Sequence, residues 1–171
     1  MAMCCEAGIE VTSLPGAAAC ITALTLSGLP TRRFAFEAFL PSDKKERACI
    51  LQELKNETRT IILYEAPHRL VKTLEELYAE LGDRKISLCR ELTKKHETVF
   101  RDTLSQAIAW YKENPPKGEC VMVLAGRPRE ELVLEERQKW ENMSLEEHLA
   151  IYEKEGMSRK DAMKQVAKDR S

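Results

Sequence analysis

The chain lacks the features that mark several large classes of protein. No stretch approaches the roughly 18 apolar residues of a membrane span, and the first residues have neither the basic start nor the long apolar core of a signal peptide. No two of its six cysteines stand at the CxxC spacing of a zinc or redox site, and neither a GxGxxG motif nor a P-loop occurs. These absences predict a reduced, cytoplasmic protein without a metal site.

The chain also has almost no net charge: its formal charge is −1, although 32% of the 171 residues are charged. A further 43% of the residues are hydrophobic. That hydrophobic content is enough for the core of one domain with a small appendage. A charge balanced in sign does not indicate nucleic-acid binding, yet it leaves room for a local basic patch.

Short apolar runs alternate with helical patterns through most of the chain. This alternation is typical of an α/β fold with a mixed five-stranded sheet and helices on both faces. The predicted strands cover residues 9–13, 33–40, 60–65, 85–92 and 119–125, with a further short strand or extended arm over 98–101. The predicted helices cover residues 17–28, 43–55, 67–81 and 103–113.

Two of these helices carry finer predictions. The helix over 103–113 opens on Thr103-Leu-Ser-Gln106, which has the form of a capping box. The helix over 43–55 has one apolar stripe and a basic first turn, so it is expected to be amphipathic. Its buried side is predicted at Ala48, Leu51 and Leu54, and its solvent side at Lys44, Lys45 and Arg47.

The stretch over 60–69 is a candidate site because an apolar strand there runs directly into a helix. Pro67 is expected at the first helical position, where proline is tolerated. Ligands of open α/β sheets bind outside the carboxyl ends of the strands. The alternative interpretation is a capped turn with charged surface residues. The polar side chains at this junction are Tyr64, Glu65, His68 and Arg69.

The chain is predicted to divide into three parts: an α/β domain over 1–126, a charged linker or mobile arm over 127–142, and a helical tail over 143–171. Both ends look cut, because one helical turn precedes Gly8 and the last helix reaches Ser171 without a stop signal. In the tail, capping boxes are predicted at Ser144–Glu147 and Ser158–Asp161. Leu145, Leu149 and Tyr152 are expected to face Ala162, Met163 and Val166.

Several blocks, taken together and in order, resemble a known family. Four of them fall at a strand end, at a turn or at the start of a helix, and one leads into the last strand. They are Leu14-Pro15-Gly16-Ala17-Ala18-Ala19, Gly28-Leu29-Pro30-Thr31 ahead of Phe39-Leu40-Pro41, Tyr64-Glu65-Ala66-Pro67-His68-Arg69, Arg90-Glu91-Leu92-Thr93-Lys94 followed by His96-Glu97, and Lys117-Gly118-Glu119.

With these blocks the chain resembles the C-terminal part of the tetrapyrrole methylase superfamily, whose members are S-adenosylmethionine-dependent methyltransferases. It is most similar to the branch of ribosomal RNA small-subunit methyltransferase I, which 2′-O-methylates a cytidine. The chain departs from the family at Ala17 and Ala18, where the family has Pro and Ser. The family's N-terminal domain, which forms much of the methyl-donor site, has no counterpart in this sequence.

The resemblance implies a donor site in a cleft, with S-adenosylmethionine as cofactor and no metal. Methyl transfer to a ribose hydroxyl requires donor and acceptor to be held in line, and a base that takes the hydroxyl proton helps. The implied donor-binding residues are Pro15, Gly16, Ala17, Ala18, Leu40, Pro41, Tyr64, Glu65, Gly118 and Glu119. The candidate bases are Glu91, His68 and Glu65, and the implied RNA contacts are Arg69, Arg90, Lys94 and His96.

Two other functions remain open at this point. Tetrapyrrole C-methyltransferases of precorrin or uroporphyrinogen belong to the same superfamily, but they carry Tyr-Met-Gly where this chain has Tyr64-Glu65-Ala66, and Asn-Gly-Thr where it has Glu91-Leu92-Thr93. Both differences favour the RNA branch. The second alternative is a non-catalytic dimerisation or RNA-docking module, because family members are homodimers.

Overall fold

A five-stranded sheet forms the centre of the protein in a computed structural model that describes residues 2–9, 16–141 and 143–170. Pro15 and residues 10–13 of the first predicted strand lie outside the described residues. The strands are β1 Phe34–Phe39, β2 Thr60–Glu65, β3 Lys85–Arg90, β4 Thr98–Thr103 and β5 Cys120–Leu124. The helices are α1 Ala2–Glu6, α2 Ala19–Ser27, α3 Lys44–Lys55, α4 Leu70–Leu81, α5 Leu104–Glu113, α6 Arg129–Glu141, α7 Leu145–Lys154 and α8 Arg159–Asp169.

The sheet is mixed, as predicted. Its strand order is β1-β2-β5-β3-β4, with β1 parallel to β2 and every other neighbouring pair antiparallel. The last strand of the chain therefore lies in the middle of the sheet. Because β1, β2 and β3 run in the same direction, their carboxyl ends meet at one edge, together with the starts of β4 and β5.

Each face of the sheet is covered by its own apolar core, because side chains alternate between the two faces along a strand. On one face Ile61 and Leu63 of β2 pack with leucines of α3, α4 and α5. On the other face Ile62 packs with Ala23 and Leu24 of α2. Helices therefore cover both faces, which confirms the predicted α/β architecture.

The buried side of α3 differs from the prediction at two positions. Leu51 and Leu54 are buried as expected, but Ala48 is exposed and Arg47, which was expected to face water, is only 9% exposed. The Arg47 guanidinium donates to Glu76 Oε2 at 2.6 Å and to Thr73 Oγ1 at 2.8 Å. The partners on α4 thus compensate for the hydration that the Arg47 charge loses on burial.

Pro67 does not begin α4, which starts three residues later at Leu70. Residues 67–69 form a turn in which the Arg69 N–H donates to the Ala66 carbonyl at 3.0 Å. The predicted helix start is therefore wrong by one turn. This turn brings Arg69 within 3.4 Å of the Glu65 carboxylate.

The N-terminus of α5 is capped by Asp83 rather than by the predicted box over 103–106. Asp83 accepts hydrogen bonds from the Ser105 N–H and hydroxyl, both at 2.8 Å, whereas the Thr103 side chain makes no capping bond to the backbone. The Ser105 N–H holds the pKa of the Asp83 carboxyl below its ordinary value of 3.8. The capping group thus comes from the loop before β3.

Asp83→Ala is expected to lower the free energy of unfolding by about 1 kcal/mol at neutral pH, because the first turn of α5 loses its acceptor. The lowered pKa sets the sign of the pH dependence: the contribution is present above pH 3.8 and is lost as the pH falls through the lowered value. Urea denaturation at pH 7 and pH 3 measures both effects. Glu113→Ala, at the other end of the same helix, should leave stability nearly unchanged, and an equal loss in the two variants would contradict the cap.

Residues 129–141, predicted as part of a linker or arm, form helix α6. Arg127, just before the helix, forms ion pairs with Glu131 and Glu135. None of the helices in the described ranges is long and apolar enough to cross a membrane. The division of the chain into three parts stays a prediction.

The helix pair of the tail forms as predicted, with α7 against α8 and a complete capping box between Ser144 and Glu147. Its buried side differs in part. Ala162 and Val166 are buried, but Leu145 and Met163 are 59% and 57% exposed. The most buried polar side chain is His148, which stacks on Trp140 with ring centroids 3.8 Å apart.

Candidate functional site

The predicted site residues gather at the edge of the sheet where β1, β2 and β3 end. Alternation along the strands then divides them between the two faces. Tyr64 and Glu91 lie on the face covered by α2, whereas Glu65 and Arg90 point to the face covered by α3, α4 and α5. The predicted set therefore forms two neighbouring groups rather than one wall.

On the α2 face these residues line a cleft of about 430 Å³. Five of the predicted residues, Tyr64, Glu91, Lys94, Gly118 and Glu119, come together there, although they lie up to 55 positions apart in the sequence. We call this the β-edge cleft. It is lined by Ala19, Tyr64, Glu91, Leu92, Lys94, Gly118, Glu119, Cys120 and Val121.

Tyr64 joins the sheet to the start of α2. Its phenol oxygen accepts a hydrogen bond from the Cys20 N–H at 3.2 Å, at the second residue of that helix. Phe36 and Phe39 pack edge-on against its ring at centroid distances of 5.1 and 5.6 Å. Burial raises the pKa of Tyr64 above its ordinary value of 10, so its hydroxyl keeps a proton at neutral pH that it can donate.

Glu91 is held in the cleft by its backbone as well as by its neighbours. It has a left-handed φ of +49°, which is uncommon outside glycine. Its carboxylate pairs with Lys94 Nζ at 3.2 Å and is 29% exposed. A Cβ on Gly118 would stand 2.4 Å from Glu91 Oε1, so the carboxylate lies directly against the glycine.

The loop over 91–97 contains a second residue in the left-handed region, Thr93 with φ of +63°. Its N–H donates to Glu97 Oε2 at 2.8 Å, and the Lys94 N–H donates to the Glu91 carbonyl at 3.0 Å. Two such non-glycine residues in one loop cost on the order of 1–3 kcal/mol each. Strain of this kind clusters at ligand sites, which favours a functional role for the loop.

The second group of predicted residues is a buried network on the other face. Glu65 is 1% exposed; its Oε1 accepts from the Ala66 N–H at 2.9 Å and its Oε2 from the Thr73 hydroxyl at 2.6 Å. Arg69 donates to the Leu40 carbonyl at 3.2 Å. Both carboxylate oxygens are already bound within the protein, so this arrangement gives Glu65 a structural role.

Arg90 also lies away from the cleft. Its guanidinium donates to Thr98 Oγ1 at 3.1 Å and to the Lys117 carbonyl at 3.4 Å. There it lines a separate pocket that contains Trp110. The predicted RNA contacts Arg69, Arg90 and Lys94 are therefore distributed over three places around the sheet edge.

The other predicted residues flank the cleft or lie outside it. Gly16, Ala17 and Ala18 are exposed and lead into α2, directly before Ala19 of the cleft. His68 and His96 are exposed in turns. Leu40 is buried, whereas Pro41 lies with Arg69 at a cavity between α3 and α4.

The β-edge cleft has the size and the chemistry that a methyl donor with an adenosine moiety requires. Its volume falls in the range of small-molecule sites, and apolar Leu92 and Val121 lie beside the carboxylates of Glu91 and Glu119. Carboxylates can accept hydrogen bonds from ribose hydroxyls and from an ammonium group, and Lys94 can pair with a carboxylate. The residues present therefore fit S-adenosylmethionine.

Some residues around the sheet edge were not predicted as site residues. Ala19, Leu92 and Val121 line the cleft through small or apolar side chains, although Ala19 and Leu92 stand in blocks of the family resemblance. Thr73 and Trp110 line other cavities and are single residues in helical patterns. Only the pairing of β5 between β2 and β3 brings Gly118 and Glu119 to Tyr64 and Glu91. The sequence signal that located the cleft was the polar residues after strands.

Known proteins are similar to this chain in sequence. The family model of the tetrapyrrole (corrin/porphyrin) methylases matches residues 1–108. The chain is 46% identical over 170 residues to ribosomal RNA small subunit methyltransferase I of Synechocystis, covering 99% of this chain and 59% of the relative. With the enzyme of the same name from Bacillus subtilis it is 45% identical, covering 97% of this chain and 56% of the relative. The chain therefore spans a little over half the length of these relatives.

Two solved structures share the fold. A cobalt precorrin-4 methyltransferase superposes with a TM-score of 0.51 at 16% identity, covering 72% of this chain and 55% of that one. The methyltransferase CobJ superposes with a TM-score of 0.52 at 21% identity, covering 73% of this chain and 54% of that one. At these identities the likeness concerns the fold alone.

Proposed function

The chain belongs to the tetrapyrrole (corrin/porphyrin) methylase family, in the branch of ribosomal RNA small subunit methyltransferase I, and from this premise we propose that it forms part of an S-adenosylmethionine-dependent methyltransferase. The substrate class we propose is ribosomal RNA of the small subunit, methylated at a cytidine 2′-hydroxyl. Because the chain spans a little over half the length of these relatives, we propose that residues outside this stretch complete the donor site. The observation that carries the proposal is the β-edge cleft, which brings five of the predicted residues together.

In this reaction the protein supplies position and a proton acceptor. The donor, when bound, supplies an activated methyl group. Of the three candidate bases, Glu91 is the one whose carboxylate lines the cleft, and its Lys94 partner keeps it oriented at 3.2 Å. The Glu91 carboxylate would accept the proton of the ribose hydroxyl as that hydroxyl takes up the methyl group that the donor supplies when bound.

Glu65 and His68 are weaker candidates for this role. Glu65 has both carboxylate oxygens occupied at 1% exposure, so a proton could reach it only after the Thr73 or Ala66 bond breaks. His68 is exposed in the turn before α4 and does not line the cleft. The basic residues around the edge, Lys94, Arg69 and Arg90, suit contacts with RNA phosphates.

Calorimetry with S-adenosylmethionine tests the donor site. We expect the chain to bind the donor weakly and to transfer no methyl group to ribosomal subunits by itself. Joined to the residues that complete its relatives, it is expected to transfer methyl groups to small-subunit RNA and not to a precorrin. Transfer to the precorrin instead would support a tetrapyrrole C-methyltransferase.

Glu91→Gln in that completed enzyme is expected to lower turnover by about 10²-fold or more, since general bases contribute that much to proton removal. Arg69→Ala should lower it as well, through the sheet edge that it holds. The control is Lys44→Ala, which removes an exposed charge at the start of α3. Equal losses in Glu91→Gln and Lys44→Ala would contradict the assignment of the site.

The proposed assembly is a homodimer in the cytoplasm, where ribosomal RNA is found. It is supported by the edge strand β1, where Phe34, Phe36 and Phe39 are 36%, 46% and 46% exposed. Exposed aromatic side chains in a row are typical of association surfaces. Light scattering, with and without ribosomal RNA, tests the assembly and separates a docking module from an enzyme.

A further inference from the structure

A pocket of about 490 Å³ lies behind the β-edge cleft, on the opposite face of the sheet. It contains one cation, Arg90, and the aromatic side chains of Phe100, Trp110 and Tyr111. We call it the Trp110 pocket. It is lined by Arg90, Thr98, Val99, Phe100, Trp110, Tyr111, Asn114 and Pro115.

The aromatic side of the pocket is supported by ring contacts and open to solvent. Trp110 is 52% exposed although Phe100 stacks on it, with ring centroids 6.4 Å apart and planes 26° from parallel. Tyr111, 4% exposed, packs edge-on against Phe100 at 5.7 Å. A half-exposed indole held in place by a second ring is a platform on which a flat, unstacked ring can lie.

The cationic side of the pocket is oriented. Arg90 donates through Nε to Thr98 and through Nη1 to the Lys117 carbonyl, so the guanidinium is fixed at the end of β3. A guanidinium presents five donors in one plane, which suits the oxygens of a phosphate. A stacking ring beside an oriented cation is complementary to a base and its phosphate.

The position of the pocket relates it to the cleft. Arg90 and Glu91 are consecutive, so their Cα atoms lie about 3.8 Å apart. Their side chains lie on opposite faces of the sheet, Arg90 in the Trp110 pocket and Glu91 in the β-edge cleft. Lys117, whose carbonyl holds Arg90, directly precedes Gly118 of the cleft. The two concavities therefore share one wall at the end of the sheet, and a strand that bends around this wall reaches both.

We infer that the Trp110 pocket binds a nucleotide of single-stranded RNA next to the one presented to the cleft, with its base on Trp110 and its phosphate on Arg90. This inference rests on the proposed function, because it deepens the choice of substrate. It makes Trp110 and Arg90 positioning residues, which hold the strand and do not touch the transferred methyl group. Enzymes that act on an unstacked base commonly hold the flanking nucleotides in this way.

The test measures the affinity of the full chain for a labelled single-stranded ribosomal RNA oligonucleotide by fluorescence anisotropy. Trp110→Ala is expected to weaken binding by about fivefold or more, the range of one lost base–aromatic stack. Arg90→Gln should also weaken it and reduce the salt dependence by about 0.7 in the slope of log K against log salt. Tyr78→Ala and Lys85→Gln are the matched controls. The first removes a 43% exposed ring on α4, and the second removes a charge at the far end of β3. The RNA affinity of both controls should stay within about twofold of that of the unaltered chain.

A second measurement does not require Trp110→Ala to fold, because it keeps the Trp110 side chain. The chain has two tryptophans, so Trp140→Phe leaves Trp110 as the only one. Its fluorescence should be quenched by the oligonucleotide and not by an abasic strand of the same length, because only a base stacks. Unquenched fluorescence with bound RNA overturns the inference.

The results separate the pocket from the enzyme. If the chain binds RNA and Trp110→Ala binds it equally well, the pocket is wrong and the methyltransferase proposal stands. If the pocket variants lose RNA affinity but the completed enzyme transfers no methyl group to small-subunit RNA, the methyltransferase proposal is wrong and the pocket stands. Failure of the unaltered chain to bind any single-stranded RNA overturns the pocket.

Discussion

Glu65→Leu is expected to lower the free energy of unfolding by roughly 3 kcal/mol, because it removes a buried carboxylate that accepts two hydrogen bonds. The substitution introduces an apolar side chain of similar size and removes the acceptor for the Thr73 hydroxyl at 2.6 Å and for the Ala66 N–H at 2.9 Å. Arg69, 3.4 Å away, loses its charge partner. Since Glu65 is 1% exposed, little water is available to replace it.

The loss should spread along the network. Thr73 also accepts from Arg47 at 2.8 Å, and Arg47 donates to Glu76 on α4, so one missing carboxylate loosens the contact between α3, α4 and the end of β2. Urea denaturation followed by circular dichroism measures the change. A thermal midpoint lower by roughly 6–12 °C would agree with it, because 1 kcal/mol corresponds to about 2–4 °C in chains of this size.

Glu75→Gln is the control for this variant. Glu75 pairs with Lys112 at 2.7 Å, but its side chain is 48% exposed, and exposed ion pairs contribute about 0–1 kcal/mol. Its substitution should therefore change stability little. If Glu65→Leu lowered the free energy of unfolding no more than Glu75→Gln, the Glu65 carboxylate would not stabilise the fold. Glu65 would then again be a candidate base.

Glu65 also shows what the sequence could and could not predict about the site. The strand over 60–65, its burial and the polar junction after it were predictable from the apolar run. The alternation of a strand also implies that Tyr64 and Glu65 point to opposite faces, so the two could have been assigned to different surfaces from the sequence. Their hydrogen-bond partners, Cys20 and Thr73, could not be predicted, because only the tertiary structure brings them to Tyr64 and Glu65.

The fold illustrates the same limit. Periodicity predicted the bounds of the five described strands within a few residues, and the alternation of strand and helix patterns predicted an α/β sheet. The insertion of β5 between β2 and β3 depends on pairing partners at least 30 residues apart, and no local pattern encodes them. Since β5 brings Gly118 and Glu119 into the cleft, only the resemblance to a family predicted those two residues.

Two other predictions from charged residues were wrong. Arg47 was expected to be exposed because it stands near two lysines, but it is buried and donates hydrogen bonds to Glu76 and Thr73. Residues 129–141 were expected to be a linker because they carry no apolar stripe, yet they form α6. Ion pairs from Arg127 to Glu131 and Glu135 support that helix without burial.

Gly118→Ala is expected to weaken binding of S-adenosylmethionine by tenfold or more if the β-edge cleft is the donor site. A Cβ at this position would lie 2.4 Å from Glu91 Oε1, so the carboxylate must move from the position in which it pairs with Lys94 at 3.2 Å. The left-handed φ of +78° adds backbone strain of about 1 kcal/mol for any other residue. Equilibrium dialysis with labelled donor measures the affinity, and urea denaturation measures the strain.

Gly28→Ala separates these two effects, because Gly28 has nearly the same φ, +75°, and nothing within 4 Å of a Cβ. Both variants should lose about 1 kcal/mol of stability, but only Gly118→Ala should lose donor affinity. Adding Gly118→Ala to a Glu91→Ala background should then cost no further affinity, since the colliding carboxylate is gone. Equal donor affinity in the two single glycine variants would mean that the Glu91 carboxylate does not hold the donor, and that the donor binds elsewhere on the sheet edge.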